Sequence, residues 1–154
     1  MNRHLRLFLG LTCGLGLFSL LDQYWFHLTQ MPLLIGSYGA TSVILYAAPN
    51  LEVARLKNVF WGHALSCGVG LLLKLLLGNA FPHLGPVLSI ALATTLMSVC
   101  GVLHPPGGAI SFIAYQTSFH SLTEMAFFLG GAAMIGPLIF WKTAQWFREK
   151  DVKI

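Results

Sequence analysis

A break inside a long apolar region constrains the fold of this chain more than any other feature of its sequence. His104-Pro105-Pro106-Gly107-Gly108-Ala109 lies between the apolar runs Val87–Leu103 and Ile110–Tyr115. Each proline removes a backbone donor and pushes the residue before it away from the α region, which predicts an interrupted helix. In a bilayer core such a break is tolerated only where protein or a water-filled cavity satisfies the freed backbone groups. An ionisable residue at that depth favours a functional cavity, and a turn at the membrane surface is the alternative.

The composition places these apolar runs in a membrane. Of the 154 residues, 56% are hydrophobic and only 9% are charged, and the mean hydropathy is +0.72. Soluble domains carry roughly a quarter charged residues, so we predict an all-α integral membrane protein. It would form a single transmembrane domain over residues 1–154 that ends in a charged cytoplasmic tail, residues 148–154. The net charge of +4 comes from the termini and one loop and not from one soluble face. We therefore expect the chain to interact with the lipid bilayer and not with nucleic acid.

The interrupted element occurs twice. The segments Gly39–Tyr46 and Gly108–Tyr115 share Gly, Ala, Ser, Ile and Tyr at a constant offset of 69 residues, without a gap. In each half a long apolar run precedes the interrupted element and another follows it. This pattern predicts repeat 1 at about residues 5–78 and repeat 2 at about residues 84–147. Interrupted hydrophobic segments at corresponding positions of two halves are typical of a transporter binding site.

The distribution of basic residues favours six crossings. Basic residues lie in the N-terminus, in the loop with Arg55 and Lys57, and in the C-terminal tail, whereas the other loops have none. The positive-inside rule places all three basic regions in the cytoplasm if both interrupted elements span. An extended segment 104–108 followed by a helix over 109–117 would reach across about one bilayer core. We predict four full spans plus two interrupted spans, with both termini cytoplasmic, in a bacterial inner membrane.

With three crossings in each repeat, the two halves would be inverted. Half-helices beginning near Gly39 and Gly108 would then approach the midplane from opposite sides, with their N-termini facing each other. A helix N-terminus offers free N–H groups and about half a positive charge, which together make an anion site. Glycine at both starts allows close approach of a ligand to the backbone. The candidate anion-binding and pore residues are Ser37, Gly39, Ala40, Thr41, Ser42, His104, Gly107, Gly108, Ala109 and Ser111.

Several of these residues have alternative roles. His104 is an anion ligand or a proton carrier at the inner mouth of the site, or a turn residue, because imidazole titrates at about pH 6.5 in water. We expect Gly108 to be the most sensitive position, because a side chain there would fill the anion's space. Among secondary candidates, Asn58 is interpreted first as a helix N-cap and His63 as a partner of a neighbouring helix. Lys74 is interpreted first as a side chain that reaches the headgroups.

Five ordered motifs resemble those of the HPP family of small membrane proteins, which is named for its His-Pro-Pro sequence. They are Gly36–Ala40, Ala47–Pro49, Ala54–Asn58, Gly62–Ser66 and His104–Ala109. Leu56, Lys57 and Gly107 depart from the family's usual Pro, Arg and Ala without removing a motif. Members from plastids and cyanobacteria are linked to nitrite transport. The resemblance therefore implies a transporter or channel for a small monovalent anion, with nitrite as the first candidate. The family is usually described with four spans, whereas we predict six crossings.

A second function stays open, a non-transporting membrane module with a structural, docking or sensing role. The short charged tail, too small for a folded interaction domain, argues against it. We expect no enzyme, since no carboxylate lies at membrane depth and no nucleophile–base pair is apparent, and we expect no cofactor or metal. The glycine-rich faces of the Val59–Leu77 and Met125–Phe147 spans predict a homo-oligomer.

Overall fold

The chain is all-helical, as predicted, in the computed structural model, which describes residues 2–29, 36–78 and 80–148. The helices are α1 (Arg3–Thr29), α2 (Gly36–Ala47), α3 (Leu56–Leu77), α4 (Leu84–Val99), α5 (Pro105–Gln116), α6 (Leu122–Phe128) and α7 (Gly136–Arg148). A 3-10 turn at Glu52–Ala54 precedes α3, and a π-helical segment at Leu129–Ile135 connects α6 to α7. The predicted entry to the second element at Pro32 and residues 149–154 of the predicted tail lie outside the described residues.

Three helical stretches within these ranges are long and apolar enough to cross a membrane, namely His4–Leu28, Leu56–Leu77 and Leu122–Phe147. Helix α4 is apolar but shorter, with 16 residues. Large apolar side chains such as Leu20, Leu76 and Val99 are more than half exposed on the outside of the bundle. Their exposure suits contact with lipid, whereas the interior buries polar side chains as well as apolar ones. The chain is an integral membrane protein.

The two middle elements are short continuous helices. Helices α2 and α5 contain 12 residues each, which corresponds to a length of about 18 Å. The predictions of breaks within them and of an extended segment 104–108 are therefore wrong. Pro105 and Pro106 occupy the first turn of α5, where their missing N–H groups would have no helical partner in any case.

The break instead lies between α4 and α5. Helix α4 ends in a Schellman motif, in which Gly101 N–H donates to the Ser98 carbonyl at 3.1 Å and Val102 N–H to the Met97 carbonyl at 2.9 Å. Gly101 has a φ of 62°, a conformation that glycine adopts without steric cost. The short segment Val102–His104 then leads directly into α5, so His104 is fixed at the junction.

Helix α5 packs most extensively against α3, and glycines allow the close approach of the two helices. A Cβ added to Gly62 would lie 2.5 Å from the Cβ of His104, and one added to Gly107 would lie 2.7 Å from the Gly62 carbonyl oxygen. A Cβ on Gly70 would collide with the backbone of Ser111. These glycines therefore serve packing inside one chain, and they hold the start of α5 against the middle of α3.

Candidate functional site

Four polar side chains meet in the interior where α2, α3 and the start of α5 come together. This buried polar cluster consists of Ser37, Thr41, His63 and His104, and all four are fully buried. Ser37 and Thr41 lie one turn apart on α2, His63 lies on α3, and His104 is the residue that precedes α5. Polar groups buried in an apolar bundle cost free energy unless they are satisfied, and in membranes they mark functional sites.

The Thr41 hydroxyl lies at the centre of the cluster. Its oxygen is 2.9 Å from the carbonyl oxygen of Ser37, 3.2 Å from Nε2 of His104 and 3.4 Å from Nε2 of His63. The two imidazole rings have their centroids 4.9 Å apart. Both rings therefore direct the same nitrogen atom at one hydroxyl group.

The other ring nitrogens determine the protonation pattern of this pair. Nδ1 of His63 donates to the Val59 carbonyl at 2.8 Å, and Nδ1 of His104 donates to the Val53 carbonyl at 2.8 Å. A carbonyl oxygen can only accept, so each Nδ1 carries a hydrogen and each Nε2 of a neutral ring is a bare acceptor. The single hydrogen of the Thr41 hydroxyl thus faces three acceptors.

Contacts from α3 and α7 position His104. Nδ2 of Asn58 donates to the Leu103 carbonyl at 3.0 Å and so holds the segment before α5. Nε1 of Trp141 donates to the Ala54 carbonyl at 3.3 Å and holds the 3-10 turn that accepts from His104. The interpretation of Asn58 as an N-cap is wrong, because the N-cap of α3 is Arg55, without a side-chain cap.

Tyr38 on α2 lies between His63 and α7, and it was not among the predicted site residues. Its ring stacks on His63 with centroids 5.5 Å apart and on Phe140 at 5.5 Å. Its hydroxyl donates to the carbonyl of Ala132 in the π-helical segment. Segments of π-helix are frequent at functional sites. The available sequence signal was the position of Tyr38 beside Ser37, within the motif Gly36–Ala40.

Two of the predicted hydroxyl groups are bonded within their own helices. The Ser42 hydroxyl donates to the Gly39 carbonyl at 2.7 Å, and the Ser111 hydroxyl donates to the Gly108 carbonyl at 2.8 Å. The two bonds occupy corresponding positions of the two repeats. Neither hydroxyl contributes its hydrogen to the buried polar cluster.

The remaining candidates lie outside the cluster. Gly39, Ala40 and Ala109 are exposed. Lys74 lies near the opposite end of α3, with its ammonium group 5.6 Å from the centre of the Tyr115 ring. Of the predicted site residues, the structure brings Ser37, Thr41, His63 and His104 together, with Asn58 beside them.

We expected substitutions at Gly108 to have the largest effect, but the structure leaves room for a small side chain there. A Cβ added to Gly108 would lie 3.7 Å from Cγ2 of Ile90 and 3.8 Å from Oγ1 of Thr94, which are ordinary contacts with α4. A Cβ on Gly107 would meet the Gly62 carbonyl oxygen at 2.7 Å and the Ser66 hydroxyl at 3.0 Å. The constrained glycine of this pair is therefore Gly107.

Comparisons with known proteins point to one family. A family model described as the HPP transmembrane region matches residues 1–149. A transmembrane protein of Dictyostelium discoideum is 38% identical over 86 residues, which cover 54% of this chain and 30% of that protein. A second transmembrane protein of the same organism is 32% identical over 87 residues, which cover 55% of this chain and 28% of that protein. The match thus spans less than a third of these relatives, and no solved structure matches the chain significantly.

Proposed function

Because the chain belongs to the HPP transmembrane family, as its motifs predicted, we propose that it transports a small monovalent inorganic anion, nitrite above others. The buried polar cluster is the observation on which this proposal rests. It lies where the first half of α2 meets the start of α5, with Thr41 in one helix and His104 directly before the other. The start of α2, where Ser37 lies, favours a negative ligand through its N–H groups and its dipole. Helix α5 begins with two prolines that have no N–H group, so its start would add only the dipole.

The Ser37 hydroxyl adds a second, independent indication of a ligand. It is fully buried and has no hydrogen-bond partner among the described residues. Ser37 lies in the first turn of α2, one turn before Thr41. A buried donor without a partner costs free energy, and an anion held at the start of α2 would accept its hydrogen. Since the cluster is fully buried, an anion would reach it only when the helices separate, which favours a carrier over an open channel.

We also propose that the two halves are inverted repeats. The offset of 69 residues carries Gly36 to Pro105 and Ala47 to Gln116, which are the bounds of α2 and α5. Helix α1 packs against α2 as α4 packs against α5, and α7 packs against α2 as α3 packs against α5. This interleaved pattern, in which each short helix is covered by the last long helix of the other half, is expected of two repeats related by a two-fold axis.

The proposed topology predicts that positions 55 and 120 lie on opposite sides of the membrane. With six crossings and both termini in the cytoplasm, the Arg55 loop is cytoplasmic and the His120 loop is outside. Both side chains are exposed, so cysteines introduced there would be accessible. In a variant lacking Cys13, Cys67 and Cys100, an impermeant maleimide should label His120→Cys in intact cells and Arg55→Cys only after lysis. Labelling of both from the same side would contradict the inverted repeat.

The predicted homo-oligomer stays a proposal. Open space around Gly130 in the Met125–Phe147 span supports it, because a Cβ there would meet nothing within 4 Å among the described residues. Small residues on a lipid-facing helix allow close contact with another subunit.

A flux assay on the purified full chain in liposomes tests the transport function. Nitrite, nitrate, formate, chloride and sulfate would each be supplied as a gradient, with protein-free liposomes as the background. We expect saturable nitrite flux, with little flux of the divalent sulfate. Background flux for every anion from a correctly folded chain would contradict the proposal and favour a non-transporting module.

A further inference from the structure

We infer that His63 and His104 together bind a single proton and that, resting on the proposed function, this proton is carried with the anion. The number of hydrogens in the buried polar cluster leads to this inference. The Ser37 carbonyl oxygen and the two Nε2 atoms are acceptors, and all three lie within 3.4 Å of Thr41 Oγ1. The hydroxyl has one hydrogen and donates it to the Ser37 carbonyl, so both buried Nε2 atoms are left without a donor.

One added proton removes half of this shortage. A proton from water on one side of the membrane would bind the lone pair of His104 Nε2, and the new N–H would donate to the Thr41 oxygen at 3.2 Å. The Thr41 hydrogen stays on the Ser37 carbonyl, and the charge of the cluster rises by one. The same reasoning applies to His63 at 3.4 Å, so the proton belongs to the pair.

A second proton is opposed by the first. The imidazole centroids are only 4.9 Å apart, and two positive rings at that distance repel each other strongly in an apolar interior. No third His, Cys, Asp or Glu in the described part of the chain joins the pair to form a metal-binding group. The arrangement therefore fits one proton better than two protons or a metal ion.

The surroundings of the pair explain why an anion would accompany the proton. Among the described titratable residues, Tyr38 stacks on His63 from α2, and the buried Cys67 lies one turn after His63 on α3. Glu52, close in sequence to the acceptor Val53, is exposed and pairs with Arg55 at 3.3 Å. Among the described residues, Glu52, Asp22 and Glu124 are the only carboxylates, and none is buried. A protonated pair thus has no buried counter-ion among the described residues, and a bound anion would supply one.

The proton site can be tested without any transport measurement. The full chain would be labelled with 15N-histidine, placed in lipid nanodiscs without nitrite and titrated by NMR, with His63→Gln and His104→Gln used to assign the signals. We expect both rings as Nδ1–H tautomers at high pH and one proton bound by the pair as the pH falls.

Three NMR results would overturn the proton site. They are an Nε2–H tautomer in the neutral pair, independent titration of the two rings, and no proton uptake by the pair before the protein unfolds. Each of these results would show that the two Nε2 atoms do not bind one proton as a pair.

Coupling to the anion is tested in liposomes that contain a pH-sensitive dye. Protein-free liposomes correct for nitrous acid that crosses lipid unaided. We expect one proton to enter with each nitrite in the wild type. In the double variant His63→Gln/His104→Gln, nitrite entry should lose its accompanying proton. Nitrite movement without protons in the wild type would overturn the coupling and leave transport intact. A one-proton NMR titration without any anion flux would instead overturn transport and leave the proton site intact.

Discussion

Replacing Gly62 with alanine is expected to abolish transport and to destabilise the helix bundle by about 1–3 kcal/mol, the usual range for overpacking. The new Cβ would lie 2.5 Å from the Cβ of His104 and 3.2 Å from the carbonyl oxygen of Val102. Neither atom is the far end of a flexible side chain, so the start of α5 would have to move away from α3. His104 would then lose its contact with Thr41. Nitrite flux and thermal unfolding in detergent measure the two effects.

Gly68→Ala is the matched control, because it makes the same change on the same helix. A Cβ on Gly68 would meet no described residue within 4 Å, and alanine favours a helix over glycine by up to about 1 kcal/mol. We expect wild-type flux and unchanged or higher stability. Equal behaviour of the two variants would show that close packing of α3 on α5 does not position His104.

Thr41→Val is expected to lower nitrite flux by about tenfold to a hundredfold. Valine has nearly the same shape as threonine but no hydroxyl, so both Nε2 atoms lose the group that they share. Loss of a partner for a buried polar group costs about 1–3 kcal/mol, and about 1.4 kcal/mol corresponds to a factor of ten. Thr41→Ser keeps the hydroxyl and should keep most of the flux. Initial rates in liposomes at fixed pH measure this series.

Thr95→Val provides the control for Thr41→Val. The Thr95 hydroxyl donates to the Ala91 carbonyl at 2.8 Å, the same bond to the preceding turn that Thr41 makes with Ser37, but Thr95 is exposed on α4. Wild-type flux is expected. Undiminished flux in Thr41→Val would show that transport does not require the buried hydroxyl.

The class and the family of this protein could be predicted from its sequence because both rest on strong signals. Long apolar runs with few charges allow little except membrane helices. The repeated segment at an offset of 69 residues located α2 and α5, and five motifs in order identified the family.

The start of α5 was predicted four residues too late, because two adjacent prolines have two structural interpretations. They end a helix that precedes them, and they also fit the first turn of a helix that follows. Here the Schellman motif at Gly101 ends α4 first, which frees Pro105 to begin α5. The conformation of the residues before the prolines decided the outcome, and that conformation depends on packing.

The site could be predicted only in part, because sequence gives residue types without their directions. Gly107 and Gly108 are equivalent in the sequence, yet on a helix they point about 100° apart, so one faces Gly62 and the other faces α4. His63 was only a secondary candidate, because a single polar residue in an apolar helix does not identify its partner. The carbonyl groups of Val53 and Val59, which fix the ring tautomers, have no sequence signal at all.

The binding of nitrite at the buried polar cluster is tested most directly by the response of the two histidines to the anion. Increasing nitrite would be added to the 15N-histidine-labelled chain in nanodiscs at constant pH. The account predicts that the His63 and His104 signals shift and saturate over the concentration range in which flux saturates, while those of His83 and His120 stay constant. Unchanged His63 and His104 signals at nitrite concentrations that saturate the flux would place the anion site elsewhere.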